Sequence, residues 1–337
     1  MSEKKERIVF DVAYQPQVRT NTDTRRIMLD VIIALLPAVV VGVINFGVAI
    51  LLPIATSVAS AVFFEWAYRK FMKKPDTIGD LTAVLTGLLM AMTMPPQAPW
   101  WMPIIGTFFA IVVVKQLYGG LGKNFLNPAL AGRAFLMASY AVIMGAVVVD
   151  GVTTATPLSY MYAGEANPYT VGQMFLGAGL PGAMGEVSAL ALLVGGLYLI
   201  YKKVISWRIP VGFIGTVAVL TLIGGHAGYS NVDWMLQNLF AGGLFLGAFF
   251  MATDYATSPV TLNGQLLYGV GCGAITVLIR YFGGFPEGVS YAILIMNLCA
   301  WAIDKGFRRY QFGVTKEDIA AMKAAKKAAK KAEKEAV

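Results

Sequence analysis

The sequence predicts an all-α integral membrane protein that crosses the bilayer about ten times. Of its 337 residues, 57% are hydrophobic and only 14% are charged, and the mean hydropathy is +0.64. A soluble domain carries roughly 25% charged residues. Apolar runs of about 20 residues, the length that an α-helix needs to cross the hydrocarbon core, recur along most of the chain. A bilayer is therefore expected to be its main solvent.

The expected helices follow one another with mostly short connections. They lie near residues 27–46, 48–68, 80–94, 101–118, 132–149, 185–201, 209–225, 235–253, 264–282 and 288–304. The third ends at Met94-Pro95-Pro96, and because proline cannot donate a backbone hydrogen bond, this segment is expected to be broken or re-entrant. The chain accordingly divides into a cytoplasmic arm at 1–26, a first five-helix repeat at 27–149, a loop at 150–184, a second five-helix repeat at 185–304 and a Lys/Ala-rich cytoplasmic tail at 305–337.

The distribution of basic residues predicts the orientation. With Met1 in the cytoplasm, all of the 27 Lys and Arg residues except Arg280 fall in inside segments or at inner helix ends. Because cytoplasmic loops retain positive charge during insertion, both termini are expected inside and the loop at 150–184 outside. Topology thereby explains the net charge of +8, and no nucleic-acid partner is expected.

Ten spans divide into two groups of five, and an odd number turns the second group upside down relative to the first. Matching interruptions support this division, since residues 92–96 separate the third and fourth spans and residues 251–259 separate the eighth and ninth. The pattern predicts two inverted five-helix repeats with a site between them, although Gly and Pro also occur at ordinary helix ends.

Acidic groups near membrane depth are costly and are often functional. Glu65 and Glu186 are expected at the interface, with water or lysine beside them. Asp254 follows an apolar run and precedes Thr257 and Ser258. These oxygens either contact a cation or a second cofactor, or they cap the next helix.

Two arginines and one asparagine complete the candidate ion or second-cofactor contacts. Arg133 is expected near the inner face and Arg280 near the outer face, and Asn127 lies just before the fifth span. A guanidinium could hold a phosphate or a partner's carboxylate, or it could extend to the interface. The two cysteines, Cys272 and Cys299, are too few for a four-thiolate cluster, and no metal site is expected.

The segment after the fifth span carries the most specific signal. By composition alone it is a polar turn. It reads Asp150-Gly151-Val152-Thr153-Thr154-Ala155-Thr156-Pro157. It is similar to the Asp-x-x-Ser/Thr-x-Ala-Thr signature at which flavin transferases attach FMN, through a phosphoester, to the last threonine. That threonine is Thr156 here, and Thr154 stands where many such signatures have Gly.

Three further segments resemble elements of one membrane family that carries this signature. They are Phe125-Leu126-Asn127-Pro128-Ala129 with Gly132-Arg133-Ala134-Phe135, Met251-Ala252-Thr253-Asp254 with Thr257-Ser258-Pro259, and Pro286-Glu287-Gly288 with Tyr291-Ala292-Ile293-Leu294 and Asn297. The family is that of RnfD, a membrane subunit of the Rnf ferredoxin:NAD oxidoreductase complex, and of the corresponding membrane subunit of the sodium-translocating NADH:quinone reductase. The short N-terminal arm is more similar to the Rnf member.

The resemblance implies a redox subunit in the inner or plasma membrane of a prokaryote. Electrons would pass through FMN on Thr156, coupled to Na⁺ or H⁺ translocation, and the chain would not be catalytic alone. Asp150, Gly151, Thr153, Thr154 and Ala155 would form the motif that the flavin transferase recognises. The implied partners are cytoplasmic flavin and iron–sulfur subunits, two small membrane subunits and a second covalently flavinylated subunit. Relatives also contain riboflavin, which is a further candidate cofactor.

A secondary transporter or channel is the alternative. An inverted five-plus-five repeat with broken helices is found in many solute carriers. This reading explains Asp254 and the prolines equally well, but it does not explain the segment from Asp150 to Thr156.

Overall fold

The computed structural model describes residues 23–145, 147–149, 152–165, 167–225, 228–283 and 287–307. Helices account for nearly all regular structure in these segments, as the sequence predicts. The exception is an antiparallel hairpin of two three-residue strands, β1 (Val147–Val149) and β2 (Val152–Thr154). Most of the N-terminal arm, the C-terminal tail beyond residue 307, and Asp150 and Gly151 of the motif lie outside the described residues.

The first half of the chain contributes six helices. They are α1 (Thr24–Phe46), α2 (Leu51–Phe71), α3 (Thr82–Met92), α4 (Met102–Phe108), α5 (Pro128–Ser139) and α6 (Ala141–Gly145). The last turns of α4 continue as a π-helical stretch, Phe109–Gln116. Two short helices follow the hairpin, α7 (Pro157–Ala163) and α8 (Val171–Leu176).

The second half contributes another six helices. They are α9 (Ala189–Tyr201), α10 (Arg208–Gly224), α11 (Asn231–Phe240), α12 (Leu244–Leu246), α13 (Leu262–Phe282) and α14 (Val289–Gly306). A second π-helical stretch, Gly247–Met251, continues α12. Each of the ten predicted spans thus coincides with at least one helix.

Several helices have the length and hydropathy of membrane spans. Within the described residues, Thr24–Phe46, Val48–Phe71 and Leu262–Phe282 are long and apolar enough to cross a bilayer. The pair Asn231–Phe240 and Leu244–Met251 is a fourth candidate, bent by 60° at its break. Along α1, Leu36, Val40 and Ile44 are exposed, and such an apolar outer surface requires lipid or protein around it.

Three predicted boundaries are wrong, and local contacts explain each one. The fifth span begins at Pro128 because the Asn127 side chain accepts hydrogen bonds from the next two backbone N–H groups, at 3.1 and 3.3 Å. The sixth begins at Ala189, where Ser188 caps the helix. The eighth is two helices, because Gly242 in its break adopts a φ of +74°, a conformation that glycine tolerates.

The two halves contact each other through small residues and a central extended segment. α1 packs against α9, where a Cβ on Gly195 would overlap the backbone oxygen of Ala34. The segment before α9 enters the interior, since Met184 N donates to Met94 O at 3.0 Å and Gly185 N donates to Met92 O at 2.8 Å. This path carries the next residue, Glu186, into the protein.

Candidate functional site

Thr156 is the N-cap of α7. Its Oγ1 accepts a hydrogen bond from the Ser159 backbone N–H at 3.3 Å and lies 2.9 Å from the Ser159 hydroxyl. Pro157 occupies the first helical position, where its lack of an N–H costs nothing. Thr156 itself is half-buried. The hydroxyl is therefore held in one place by the first turn of the helix and is still partly accessible.

The described part of the predicted flavinylation motif connects the hairpin to α7. Thr153 and Thr154 lie in β2, and Ala155 joins that strand to Thr156. The Thr154 hydroxyl oxygen is buried and has no hydrogen-bond partner among the described residues. The strand and the helix together fix both sides of the threonine.

Aromatic side chains anchor α7 to the second half. The Tyr162 hydroxyl donates to Asn238 Oδ1 at 2.8 Å, and its ring packs edge-on against Trp234 and Tyr281, with centroids 5.2 and 5.8 Å away. Burial raises the pKa of Tyr162, so the phenol remains a donor. The sequence gives no signal for this anchor, because Tyr162 and its partners are far apart in the chain.

A pocket lies beside Thr156. It has an empty volume of about 350 Å³, part of it open to the surroundings. Its apolar wall includes Leu158, Leu180 and Phe240, and two carboxylates, Glu186 and Glu287, also line it.

Arg133 joins those two carboxylates. Its Nη1 donates to Glu186 Oε1 at 3.2 Å and to the Ser290 hydroxyl at 3.1 Å, and its Nη2 pairs with Glu287. The predicted place of Arg133 near the inner face is wrong, because it lies more than one turn inside α5 and contacts the loop beside the Thr156 pocket. The predicted interfacial place of Glu186 is also wrong, since Glu186 is buried and paired with arginine.

Arg280 lies close to this cluster. Its Nη1 donates to Asn238 O at 2.6 Å and its Nη2 to Ala241 O at 3.3 Å, while its Nε has no hydrogen-bond partner among the described residues. It is 2% exposed, so the alternative in which it extends to the interface is wrong. The positive charges of Arg133 and Arg280 balance the two glutamates.

A larger cavity lies between the two halves at the other end of α1. Its empty volume is about 780 Å³, part of it open to the surroundings. Apolar side chains such as Leu89, Phe249 and Phe250 form much of its lining. The polar lining residues are Thr82, Thr86, Lys115, Asn124, Asn127, Thr253 and Asp254, with Tyr255 beside them.

Of the predicted ion or second-cofactor contacts, Asn127 and Asp254 line the larger cavity, whereas Thr257 and Ser258 do not. Asp254 also caps the next turn, because it accepts hydrogen bonds from Ala256 N at 3.4 Å and from the Thr257 hydroxyl at 3.2 Å. The capping role is therefore observed, and contact with a cation or a cofactor stays a prediction. Burial raises the pKa of the Asp254 carboxyl, and these hydrogen bonds oppose the shift only in part.

Glu65 and Lys115 form a buried pair next to this cavity. Lys115 Nζ lies 2.7 Å from Glu65 Oε2 and 2.7 Å from the Thr82 hydroxyl. Glu65 is 1% exposed and Lys115 is 3% exposed. The predicted interfacial place of Glu65 is wrong, although its expected lysine partner is present.

The two cavities are at opposite ends of α1. Met28 lines the larger one, while Asn45 accepts a hydrogen bond at 3.1 Å from Gly179 N, next to the pocket-lining Leu180. Met28 and Asn45 are about 26 Å apart along the helix axis. That separation approaches the thickness of a bilayer's hydrocarbon core, about 30 Å.

The described residues offer little to a metal ion. They contain no group of three or more His, Cys, Asp and Glu side chains that could hold one. Cys272 is buried in the helical core, as expected of a packing residue, but Cys299 is exposed on α14. A planar, largely apolar ligand with a polar edge fits the larger cavity better, since that cavity has the size and the lining of a cofactor site.

Long apolar helices, buried charge pairs and cavities at both ends define a multi-pass helical membrane protein. The chain belongs to the family described as NQR2, RnfD, RnfE, which it matches over residues 11–313. The family resemblance predicted from the sequence is thereby confirmed.

Curated relatives are similar over most of both chains. One is a subunit of the Na⁺-translocating ferredoxin:NAD⁺ oxidoreductase complex of Acetobacterium woodii, and it is 48% identical over 312 residues, which cover 90% of this chain and 96% of the relative. Another, from the proton-translocating ferredoxin:NAD⁺ oxidoreductase complex of Clostridium ljungdahlii, is 45% identical over 326 residues, covering 91% and 97%. A third, from the ion-translocating oxidoreductase complex of Actinobacillus succinogenes, is 34% identical, covering 88% and 96%. Each of the three carries the letter D among the components of its complex.

Proposed function

We propose that this chain is the RnfD component of an Rnf-type complex, a redox-driven Na⁺ or H⁺ pump that acts between ferredoxin and NAD. Similarity across about nine-tenths of the chain to relatives from such complexes supports the proposal. The observation that carries the redox role is the geometry of Thr156, a partly accessible hydroxyl fixed at the start of an anchored helix.

Thr156 is the residue that would hold FMN, through a phosphoester to its Oγ1. The flavin supplies one- or two-electron transfer when bound. The protein's own contribution is positional, since β2 and α7 fix the threonine and Tyr162 fixes α7. Asp150, Gly151, Thr153, Thr154 and Ala155 serve the flavin transferase that loads the site, which is a separate partner needed for maturation.

The larger cavity is the proposed site of a second flavin, riboflavin held without a covalent bond. Leu89, Phe249 and Phe250 would contact its ring system, and the amide of Asn127 and the carboxyl of Asp254 would contact its polar groups. Such a cavity, largely apolar with a few placed polar groups, is typical of cofactor sites.

Ten spans in two inverted repeats, at 27–149 and 185–304, are the proposed arrangement in the membrane. The pairwise packing of the helices supports it. In the first half α2 packs against α3 and α4, and α4 against α5; in the second half α10 packs against α11 and α13, and α13 against α14. Across the halves, the first helices pair (α1 with α9) and the fifth helices pair (α5 with α14).

Thr156 and the loop at 150–184 are proposed to face the extracytoplasmic side, with both termini in the cytoplasm. The distribution of Lys and Arg supports this orientation. The larger cavity then opens toward the cytoplasmic side, because it is at the opposite end of α1. Electrons that pass between the two flavins would cross much of the membrane, with the remaining members of the complex as donor and acceptor.

Co-expression with a flavin transferase tests the proposal. We expect the chain to fluoresce under ultraviolet light after denaturing electrophoresis when the transferase is present, because a phosphoester survives denaturation. Without the transferase, the same band should be dark. A colourless chain that takes up solute into vesicles would instead support a transporter.

A further inference from the structure

A chain of hydrogen-bonded side chains joins the loop between α2 and α3 to the larger cavity. Thr77, half-buried in that loop, donates from its hydroxyl to Glu65 Oε1 at 2.8 Å. Glu65 Oε2 accepts from Lys115 Nζ at 2.7 Å, and Lys115 Nζ also donates to the Thr82 hydroxyl at 2.7 Å. Lys115 and Thr82 line the cavity. An acid and a base that can each exchange a proton therefore lie between the surface and the cavity.

Stability alone is a weak reason for this pair. Taking two charges out of water costs several kcal/mol each, and well-packed apolar residues often stabilise a protein as much as a buried ion pair does. Ionisable groups at membrane depth instead mark pathways for protons or ions. Lys115 also lies in the π-helical stretch that continues α4, and π-helical geometry is frequent at functional sites.

The charges around the pair favour a proton over a metal cation. Lys115 Nζ already occupies the position between Glu65 Oε2 and the Thr82 hydroxyl. Arg69 Nε lies 3.9 Å from the other oxygen, Glu65 Oε1. A Na⁺ ion at Glu65 would face both positive groups, whereas a proton can move along the existing hydrogen bonds.

The other side of the cavity carries one acidic group toward this pair. Asp254 interacts electrostatically with Lys115 across the cavity, and Asn124 and Asn127 are the neutral groups beside it. Lys115 is thus placed between two carboxylates, one that can supply a proton and one that stabilises its charge.

We propose that Thr77, Glu65 and Lys115 form the route by which protons from the α2–α3 loop reach the redox group in the larger cavity. The proposal rests on the flavin site proposed for that cavity. When the occupant gains one electron from the electron-transfer pathway, Lys115 Nζ gives it one proton. The Glu65 carboxyl returns a proton to Lys115, and the Thr77 hydroxyl passes one from solvent to Glu65. One proton thus accompanies each electron, so the cavity's net charge is unchanged.

The variant Lys115→Arg in the assembled complex tests this route. Arginine keeps the positive charge beside Glu65, so the fold and the ion pair should persist, but it does not release its proton. We expect proton uptake on reduction, followed with a pH-indicator dye in weakly buffered detergent solution, to slow on the order of 100-fold. The matched control is Lys123→Arg, an exposed lysine in the neighbouring loop, which should behave as wild type.

A second variant separates delivery from reloading. Glu65→Gln removes the group that reprotonates Lys115, so the first proton should be delivered at the normal rate and later ones slowly. A purely structural defect would slow the first proton as well. Equal rates of proton uptake in Lys115→Arg, Lys123→Arg and wild type would overturn the route.

Flavin content distinguishes failure of the route from failure of the cavity assignment. Riboflavin released by denaturing the wild-type complex and each variant should be present at equal levels. Riboflavin present with an unaffected Lys115→Arg variant overturns the route alone. Absence of releasable riboflavin from the wild-type complex overturns the cavity assignment and the route together.

Discussion

Replacing Thr156 with alanine is expected to abolish covalent flavin and to reduce ferredoxin:NAD oxidoreduction by the complex to background. The substitution removes the only oxygen at this position that can form the phosphoester, and the redox group is lost with it. The fold should survive, because removing a threonine N-cap costs about 0.5–2 kcal/mol. In-gel flavin fluorescence and the activity of the purified complex measure the two effects.

Thr170→Ala is the matched control for this variant. Thr170 is the N-cap of α8, in the same loop, and accepts a hydrogen bond from the Gln173 backbone N–H at 3.3 Å. Its replacement removes a comparable cap without touching the motif, so flavin and activity should remain. A fluorescent Thr156→Ala chain would show that the anchor is another residue.

Replacing Arg133 with methionine is expected to give the largest loss of stability, about 3–5 kcal/mol. The change leaves Glu186 buried without the guanidinium that now binds it, and Glu287 loses the same partner. It also separates α5 from the N-terminus of α14, since Arg133 donates to Ser290. Thermal unfolding of the chain in detergent, followed by loss of the monodisperse peak in gel filtration, measures the effect.

An exposed ion pair serves as the comparison for Arg133. Lys202 Nζ lies 4.0 Å from Asp30 Oδ1, with 46% of its side chain exposed. Because solvent screens such pairs, Lys202→Met should cost at most about 1 kcal/mol. If Arg133→Met proves no more damaging than Lys202→Met, the buried cluster does not stabilise the junction of the two halves.

The positions of the helices could be predicted from the sequence because lipid imposes a simple rule on length and hydropathy. The predicted third span ends before Pro95-Pro96, and α3 indeed ends at Met92. The bend between α11 and α12 could not be located, because the apolar run continues through Gly242 without a change in composition. The hairpin before Thr156 was also missed, since strands of three residues carry too little pattern.

The buried pairs were beyond sequence reasoning for a different reason. Glu65 and Lys115 are 50 residues apart, and Arg133 and Glu287 are 154 residues apart. Only tertiary packing brings these side chains together, so their sequence neighbours gave no indication of a partner. The assumption that acidic residues near helix ends remain in contact with water therefore failed at Glu65 and Glu186.

The candidate site was predicted as a motif but not as an environment. The pattern from Asp150 to Thr156 identified the threonine directly, whereas Tyr162 and its partners in α11 and α13 emerged only from the structure. Asp254 shows why the sequence left alternatives open: the same carboxyl caps a turn and lines a cavity.

The mass of the peptide that contains Thr156, isolated from the active complex, tests the central claim most directly. We expect this peptide to carry the added mass of FMN less one water, and fragmentation to locate the addition on Thr156. An unmodified peptide from complex that still transfers electrons, or FMN on Thr153 or Thr154 instead, would contradict the assignment.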